Sequence, residues 1–571
     1  MIKPKFLLHL LQRFPENVRG AISTGLLGLA AGLSAVAFLF LTNFLFTQTY
    51  LLFAEKSVTF FIIASFIVIS ASSLLVGYLL NVFSPEAAGS GIPQIKTAYW
   101  KELGYVNFKP VLVKFVAGVL SIGGGNSLGR EGPSVFIGSG AASNLDGILG
   151  TPPRQRRSAT LIGAAAGLAA AFNTPLAAIT FVIEEIIGDM NNRYLGRVVL
   201  SSVIGAFSVY AILGRHPAFS LPSVENISWF HYLIVPFVSI FGSLAGVAFQ
   251  KGTIFIRGRL IKQKQIPRWL LPFFGGIITW IIGCTVFYAT GKIGVFGLGY
   301  QDLSNALNNN MAWEIAGILV GAKLLATIAG YSFGGCGGIF APSLFIGGLT
   351  GYFIGGLSGY WVPLTPADHI VLAAVGMSAC LGAIVHAPLT SMLIVFEMTH
   401  QFSLVPGLMI GTIISQAVAH RFSKLNFYDA LLVQDGHELH KIRPPLDLQS
   451  WQNLPISAIA SPKPVGLHDL TIDEMQKVID AYPYSAFPVF SGEIVKGVIT
   501  RQQIEQALYT KKIPRIQKMG VCYADQTVKE VGNKFVESAA HVLIVLERGT
   551  DGINGIVTLH DLIRAQAAIQ T

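Results

Sequence analysis

Three short stretches, "GSGIP" (89–93), "GREGP" (129–133) and "GGIFAP" (337–342), set glycine beside proline inside otherwise apolar text. Glycine lets backbone come close to a ligand, and proline favours the first position of a helix. A helix that starts there aims unpaired N–H groups and a partial positive charge at whatever lies before it. The chemistry this suits is binding an anion without a full cation, so that the anion can leave again. Ser90 adds a hydroxyl donor. Glu131 stands out, because an ionised carboxylate inside a bilayer costs on the order of ~3 kcal/mol or more and should face a polar path. The alternative, a structural pair with Arg130, is weakened because adjacent side chains on a helix diverge. No nucleophile has a base beside it, so the sequence does not read as an enzyme. "GGGNSL" (123–128) lacks the third glycine of a dinucleotide loop, and no GK[ST] follows it.

The same frame is written twice. Gly129, Pro133, Ser134, Phe136, Ile137 and Gly138 recur 209 positions later as Gly338, Pro342, Ser343, Phe345, Ile346 and Gly347. Further on, Gly163, Leu168, Pro175, Leu176, Val182 and Glu184 recur 213 positions later as Gly376, Leu381, Pro388, Leu389, Val395 and Glu397. The duplication sorts the carboxylates. Glu184 has its counterpart in Glu397, so both read as structural. Glu131 faces Phe340 and Glu185 faces Met398, so each of these exists in one half only. Two half-helix ends would cradle an anion, and the first carries a carboxylate able to displace it and, once protonated, to swing away.

Apolar runs at about 21–47, 59–82, 159–188, 230–250, 269–290 and 404–420 are long enough to span a bilayer. Other segments are broken by Gly and Pro, at 120–140, 332–350 and 375–390, and paired interrupted segments in two halves of a chain are the pattern of a transporter binding site. Residues 1–440 carry a formal charge of +9 of the chain's +10, scattered between apolar runs, which fits the positive-inside rule and not a nucleic-acid surface. "KGTIFIRGRLIKQKQIPR" (251–268), six basic residues and no acidic one, marks a cytoplasmic loop, and residues 1–20 read as a retained cytoplasmic helix. Cys284, Cys336, Cys380 and Cys522 are isolated and read as small buried hydrophobes, with no metal site.

Beyond a linker at 441–454 the charged fraction doubles and the period changes. Residues 485–508 and 539–566 each read strand, turn, strand, helix, with Gly497 and Thr500 recurring as Gly555 and Thr558. The fold class is therefore an all-α polytopic membrane protein of two homologous halves with broken helices, followed by a soluble tandem α/β domain.

Over about 20–430 the chain resembles the CLC chloride channel and transporter family: GSGIP, GREGP and GGIFAP stand in that family's order, flanked by "FVIEE" and "APLTSMLIVFEMT". The resemblance implies inverted halves and a homodimer in the lipid bilayer with one anion path per subunit. It implies that Ser90 and Tyr428 (in "NFYDALL") donate hydroxyls to the central anion, that the amides of Ile339 and Phe340 complete the site, and that Glu131 is the outer gating glutamate. Tyr428 could otherwise be an amphipathic tyrosine at the membrane surface. Exchangers of the family generally carry a glutamate at Glu185, which passes protons inward, where channels commonly have valine. The resemblance thus implies a chloride/proton antiporter, with a passive chloride channel as the alternative. Ser90 favours chloride, since nitrate-preferring relatives often have proline there. Residues 455–510 and 514–570 resemble a CBS-domain pair, in which Thr558 and Asp561 match a site for adenine nucleotides; no cofactor is required. A compact linker suggests a prokaryotic inner membrane, with residues 1–440 the transmembrane domain and the CBS pair cytoplasmic.

Overall fold

The computed structural model describes residues 15–188, 194–214, 219, 228–263, 265–437, 452, 454–462, 464–492, 494–538, 541–548 and 553–568. The chain divides into two compact units, Met1–Ile442 and Arg443–Thr571. Most of the expected N-terminal helix (1–20) and of the expected linker (441–454) lies outside the described residues.

The described residues of the first unit are mainly helical. Its first eight principal helices are α1 (Glu16–Phe46), α2 (Val58–Phe83), α3 (Ile92–Trp100), α4 (Phe108–Gly123), α5 (Glu131–Ile148), α6 (Arg157–Phe172), α7 (Pro175–Phe181) and α8 (Leu195–Leu213). Eight more follow: α9 (His231–Lys262), α10 (Leu271–Thr290), α11 (Tyr300–Leu307), α12 (Trp313–Ser332), α13 (Phe340–Ser358), α14 (Pro366–Val385), α15 (Pro388–Thr399) and α16 (Val405–Phe422). A short α17 (Phe427–Gln434) closes the unit. Among the described residues nine segments are long and apolar enough to cross a bilayer, from Val18–Ala54 to Phe402–Gln434. Large apolar side chains such as Phe40, Ile63, Phe207 and Phe241 remain exposed on them, as a lipid-facing surface requires.

Helices α1–α8 and α9–α16 correspond one to one, so the repeat is longer than the two blocks visible in the sequence. Its centre is a single backbone pairing. Gly129 N–H donates to Gly338 C=O (2.7 Å) and Gly338 N–H to Gly129 C=O (2.6 Å), an antiparallel bridge between equivalent residues. Such a reciprocal pair is two-fold symmetric, and it holds the starts of α5 and α13 together. A Cβ on Gly338 would lie 2.9 Å from Gly132 N, so the approach needs glycine. Two buried lysines repeat as well: Lys114 donates to the carbonyl of Gly89 (2.9 Å), and Lys323, 209 positions on, to those of Gly294 (2.9 Å) and Gly297 (2.7 Å). Each ammonium thereby ties down the turn ahead of a half-helix.

The apolar run 159–188 is not one span. Asn173 adopts a left-handed conformation (φ 60°) and Pro175 opens α7, which breaks the run; His386 (φ 57°) and Pro388 do the same between α14 and α15. Proline at a helix start and a left-handed residue at the preceding helix end are the usual physical causes of such a stop.

The two carboxylates shared by the halves secure these short helices. Glu397 accepts from the N–H groups of Leu176 (2.9 Å) and Ala177 (2.7 Å) at the start of α7, while Glu184 accepts from those of Leu389 (3.1 Å) and Thr390 (2.8 Å) at the start of α15. Each half caps the other. Glu397→Ala should lower stability by about 1–3 kcal/mol, since it leaves two N–H groups without their acceptor. Thermal unfolding of the detergent-purified variant checks this, and an unchanged midpoint would refute the capping role.

The second unit holds α18 (Ile472–Ala481), β1 (Ala486–Ser491), β2 (Ile494–Thr500), α19 (Arg501–Thr510), β3 (Gly520–Tyr523), α20 (Val528–Glu537), β4 (Val542–Leu546), β5 (Ile553–Thr558) and α21 (Leu559–Ala568). β1 and β2 pair antiparallel; β3 runs parallel to β4, which pairs antiparallel with β5. The two repeats exchange edge pairings, Gln517 with Val498 and Ser461 with Ile556. The recurring glycines explain themselves there, because a Cβ on Gly497 would lie 2.4 Å from Gln517 O and one on Gly555 2.5 Å from Ser461 O. All four cysteines are buried and unpaired, and burial pushes the Cys522 thiol up to about 11.

Candidate functional site

The site forms where the broken helices meet. Glu131, the first residue of α5, is fully buried, and its carboxylate points across to the second half. Oε2 accepts from Ala341 N–H at 3.4 Å, in the first turn of α13, and Oε1 accepts from the Tyr300 hydroxyl at 3.1 Å. The carboxylate therefore sits where the unpaired N–H groups of α13 would receive an anion. Ile339, the N-cap of α13, and Phe340, its first residue, are fully buried beside it.

Ser90 packs against the same junction, its Cβ 2.9 Å from where a Cβ on Gly132 would be. Its hydroxyl oxygen accepts from Ile92 N–H (3.4 Å), and a hydroxyl so engaged still has its hydrogen to donate. Ser90 N–H donates to the Tyr331 hydroxyl (3.4 Å), and the Tyr331 ring meets Phe427 edge-on at 5.2 Å. That chain of contacts brings in α17 and Tyr428, whose hydroxyl is fully buried and has no hydrogen-bond partner among the described residues. A buried hydroxyl left unmatched costs roughly 1–3 kcal/mol, so an anion in its reach fits the donor set. The surface location considered for Tyr428 is excluded by its burial.

Glu185 lies at the other end of this region, with 2% of its side chain exposed. Lys96 Nζ donates to Glu185 Oε1 (2.7 Å) and to Asp429 Oδ1 (2.5 Å), and Asn426 Nδ2 donates to Glu185 Oε2 (3.0 Å). One ammonium thus bridges two carboxylates, one buried and one 24% exposed.

The family model for the voltage gated chloride channel matches residues 72–420. The chain belongs to the voltage gated chloride channel (CLC) family. It is 32% identical over 438 residues to the H(+)/Cl(-) exchange transporter ClcA of Klebsiella pneumoniae (strain 342), covering 74% of this chain and 90% of that protein. It is 31% identical over 374 residues to ClcA of Vibrio campbellii (strain ATCC BAA-1116), covering 64% and 78%. Its fold is similar to that of a slow cyanobacterial Cl-/H+ antiporter (TM-score 0.65, 24% identity, 73% of this chain and 97% of that one). It is also similar to that of a eukaryotic CLC transporter (TM-score 0.62, 20% identity, 97% and 98%). The CBS domain model matches residues 513–568.

Within this CLC chain, sequence reasoning missed Lys96, Asp429, Asn426, Tyr300 and Tyr331. Lys96 carried a signal, a lone cation in an apolar helix six residues after Ser90. Tyr300 carried a fainter one: "GLGY" (297–300) is a degenerate second copy of "GSGI" (89–92), 208 positions on. Thr558 and Asp561 are brought together in the C-terminal unit, but as a helix cap. Asp561 Oδ2 accepts from the Thr558 hydroxyl (2.7 Å) and N–H (2.8 Å), and Thr500 with Gln503 makes the same box in the first repeat.

Proposed function

We propose that this protein is a chloride/proton antiporter. Ser90, Tyr428 and the amides of Ile339 and Phe340 would hold the central chloride, Glu131 would compete with it and carry the proton on the outer side, and Glu185 would pass protons on the inner side. The observation that carries the reading is the position of Glu131, whose carboxylate reaches the N-terminal turn of α13 in the manner of a bound anion. The relatives named as H(+)/Cl(-) exchange transporters support it. The reading extends to a homodimer with one path per subunit in a bacterial inner membrane, the basic segment 251–268 on the cytoplasmic side. It also gives the CBS pair a regulatory role, with an adenine nucleotide at Thr558 and Asp561.

One observation favours a passive channel instead: Glu185 is held by Lys96, and a carboxylate neutralised by a buried ammonium need not cycle. The deciding experiment is proton movement in proteoliposomes under a chloride gradient, with no imposed proton gradient and the membrane potential controlled. Uphill proton movement opposite to chloride is expected. Chloride flux without it would make the protein a channel.

A further inference from the structure

Tyr300 has no part in the proposed transport, yet its hydrogen bond to the Glu131 carboxylate (3.1 Å) is shorter than the one from Ala341 N–H (3.4 Å). It opens α11 directly after Gly299, which is left-handed (φ 79°) and so turns the chain to bring the ring over α5. The ring is held on two sides. The Arg130 guanidinium lies 5.6 Å from its centroid, and Phe219 meets it edge-on at 5.3 Å. Arg130 is itself tied back, donating from Nη1 to Asn43 Oδ1 at 3.0 Å. A cavity of about 310 Å³ lined by Asn43, Arg130, Tyr300 and Gln301 adjoins the ring.

We propose that Tyr300 is a positioning residue that latches the Glu131 carboxylate in the place where it competes with chloride. The inference rests on the proposed role of Glu131. Its physical basis is selective: a hydroxyl donating to a carboxylate stabilises the docked, charged form, and hydrogen bonds to charged groups are among the stronger ones. Docked carboxylate and chloride exclude each other, so apparent chloride affinity is the intrinsic affinity reduced by the fraction of undocked protein. Weakening the latch raises that fraction.

The test is chloride binding to the purified full-length protein by calorimetry. Tyr300→Phe, which removes one oxygen and keeps the ring between Arg130 and Phe219, is expected to tighten chloride binding about tenfold or more. In a Glu131→Gln background, where no carboxylate charge is left to compete with chloride, the same change is expected to do nothing further, a result that a merely structural role would not give. Unchanged affinity in Tyr300→Phe, or tightening that persists in the Glu131→Gln background, overturns the latch. Should Tyr300→Phe fail to fold, Glu131→Asp draws the carboxylate back from the hydroxyl and is expected to tighten binding as well; unchanged or weaker binding there overturns the latch. Absence of chloride binding in both wild type and Glu131→Gln would overturn the proposed function together with this inference, whereas a purely passive chloride flux would leave the latch test intact.

Discussion

Glu131→Gln should abolish proton movement in proteoliposomes while chloride still crosses. Glutamine keeps the shape of the side chain but not the charge that the Tyr300 hydroxyl and Ala341 N–H hold at α13, so the place where chloride competes with Glu131 is left open. The amide cannot accept a proton from water or carry one, so the loss is of proton flux by at least about 100-fold, the scale of losing a positioned acid–base group. Glu185→Gln should give the same uncoupling from the other end with Glu131 intact. Its fold should survive, because Lys96 keeps Asp429 as counter-ion and Asn426 keeps an acceptor in the amide oxygen. Simultaneous measurement of chloride efflux and external pH reads both fluxes in one sample. Proton transport persisting in both variants would remove the roles assigned to these two carboxylates.

The sequence carried the parts of this site that the duplication wrote twice or broke once. Pro133 and Pro342 announced the starts of α5 and α13, and the asymmetry of Glu131 against Phe340 singled out the carboxylate. The pairing of Glu184 with Glu397 identified both as shared structure, and the reciprocal caps at α7 and α15 supply the physical content. What was not legible lies in contacts between residues hundreds of positions apart. Nothing near Lys96 in the chain shows that Asp429 lies 2.5 Å away, and nothing near Tyr300 shows that its hydroxyl meets Glu131. The break at Asn173 was illegible for a different reason: an asparagine in an apolar run is tolerated by a spanning helix, and only its left-handed backbone ends α6. The equivalent position is His386, so the left-handed residue differs between the halves and only the prolines that follow it, Pro175 and Pro388, recur.

Lys96→Met should be the most destabilising single change among the residues named here, by roughly 3–5 kcal/mol, the cost of stranding one partner of a buried ion pair. The triad of Lys96, Glu185 and Asp429 has one positive and two negative ends, and Glu185 has almost no exposure through which water could replace the ammonium. Lys96→Met/Glu185→Gln should recover much of the loss, since the remaining carboxylate, Asp429, is 24% exposed and can be solvated. That non-additivity is what contact between the two side chains predicts. Equal thermal midpoints for the single and double variants would show that the ion pair carries no such weight. The same arithmetic bears on transport. In the proposed antiport a protonated Glu185 would no longer balance Lys96, and the buried ammonium would then be compensated only because Asp429 holds its other side. Asp429→Asn should therefore slow proton movement about tenfold or more, while chloride still finds Ser90, Tyr428 and the start of α13 in place. If proton and chloride fluxes instead fell together, Asp429 would be supporting the fold of α17 and not the charge balance at Glu185.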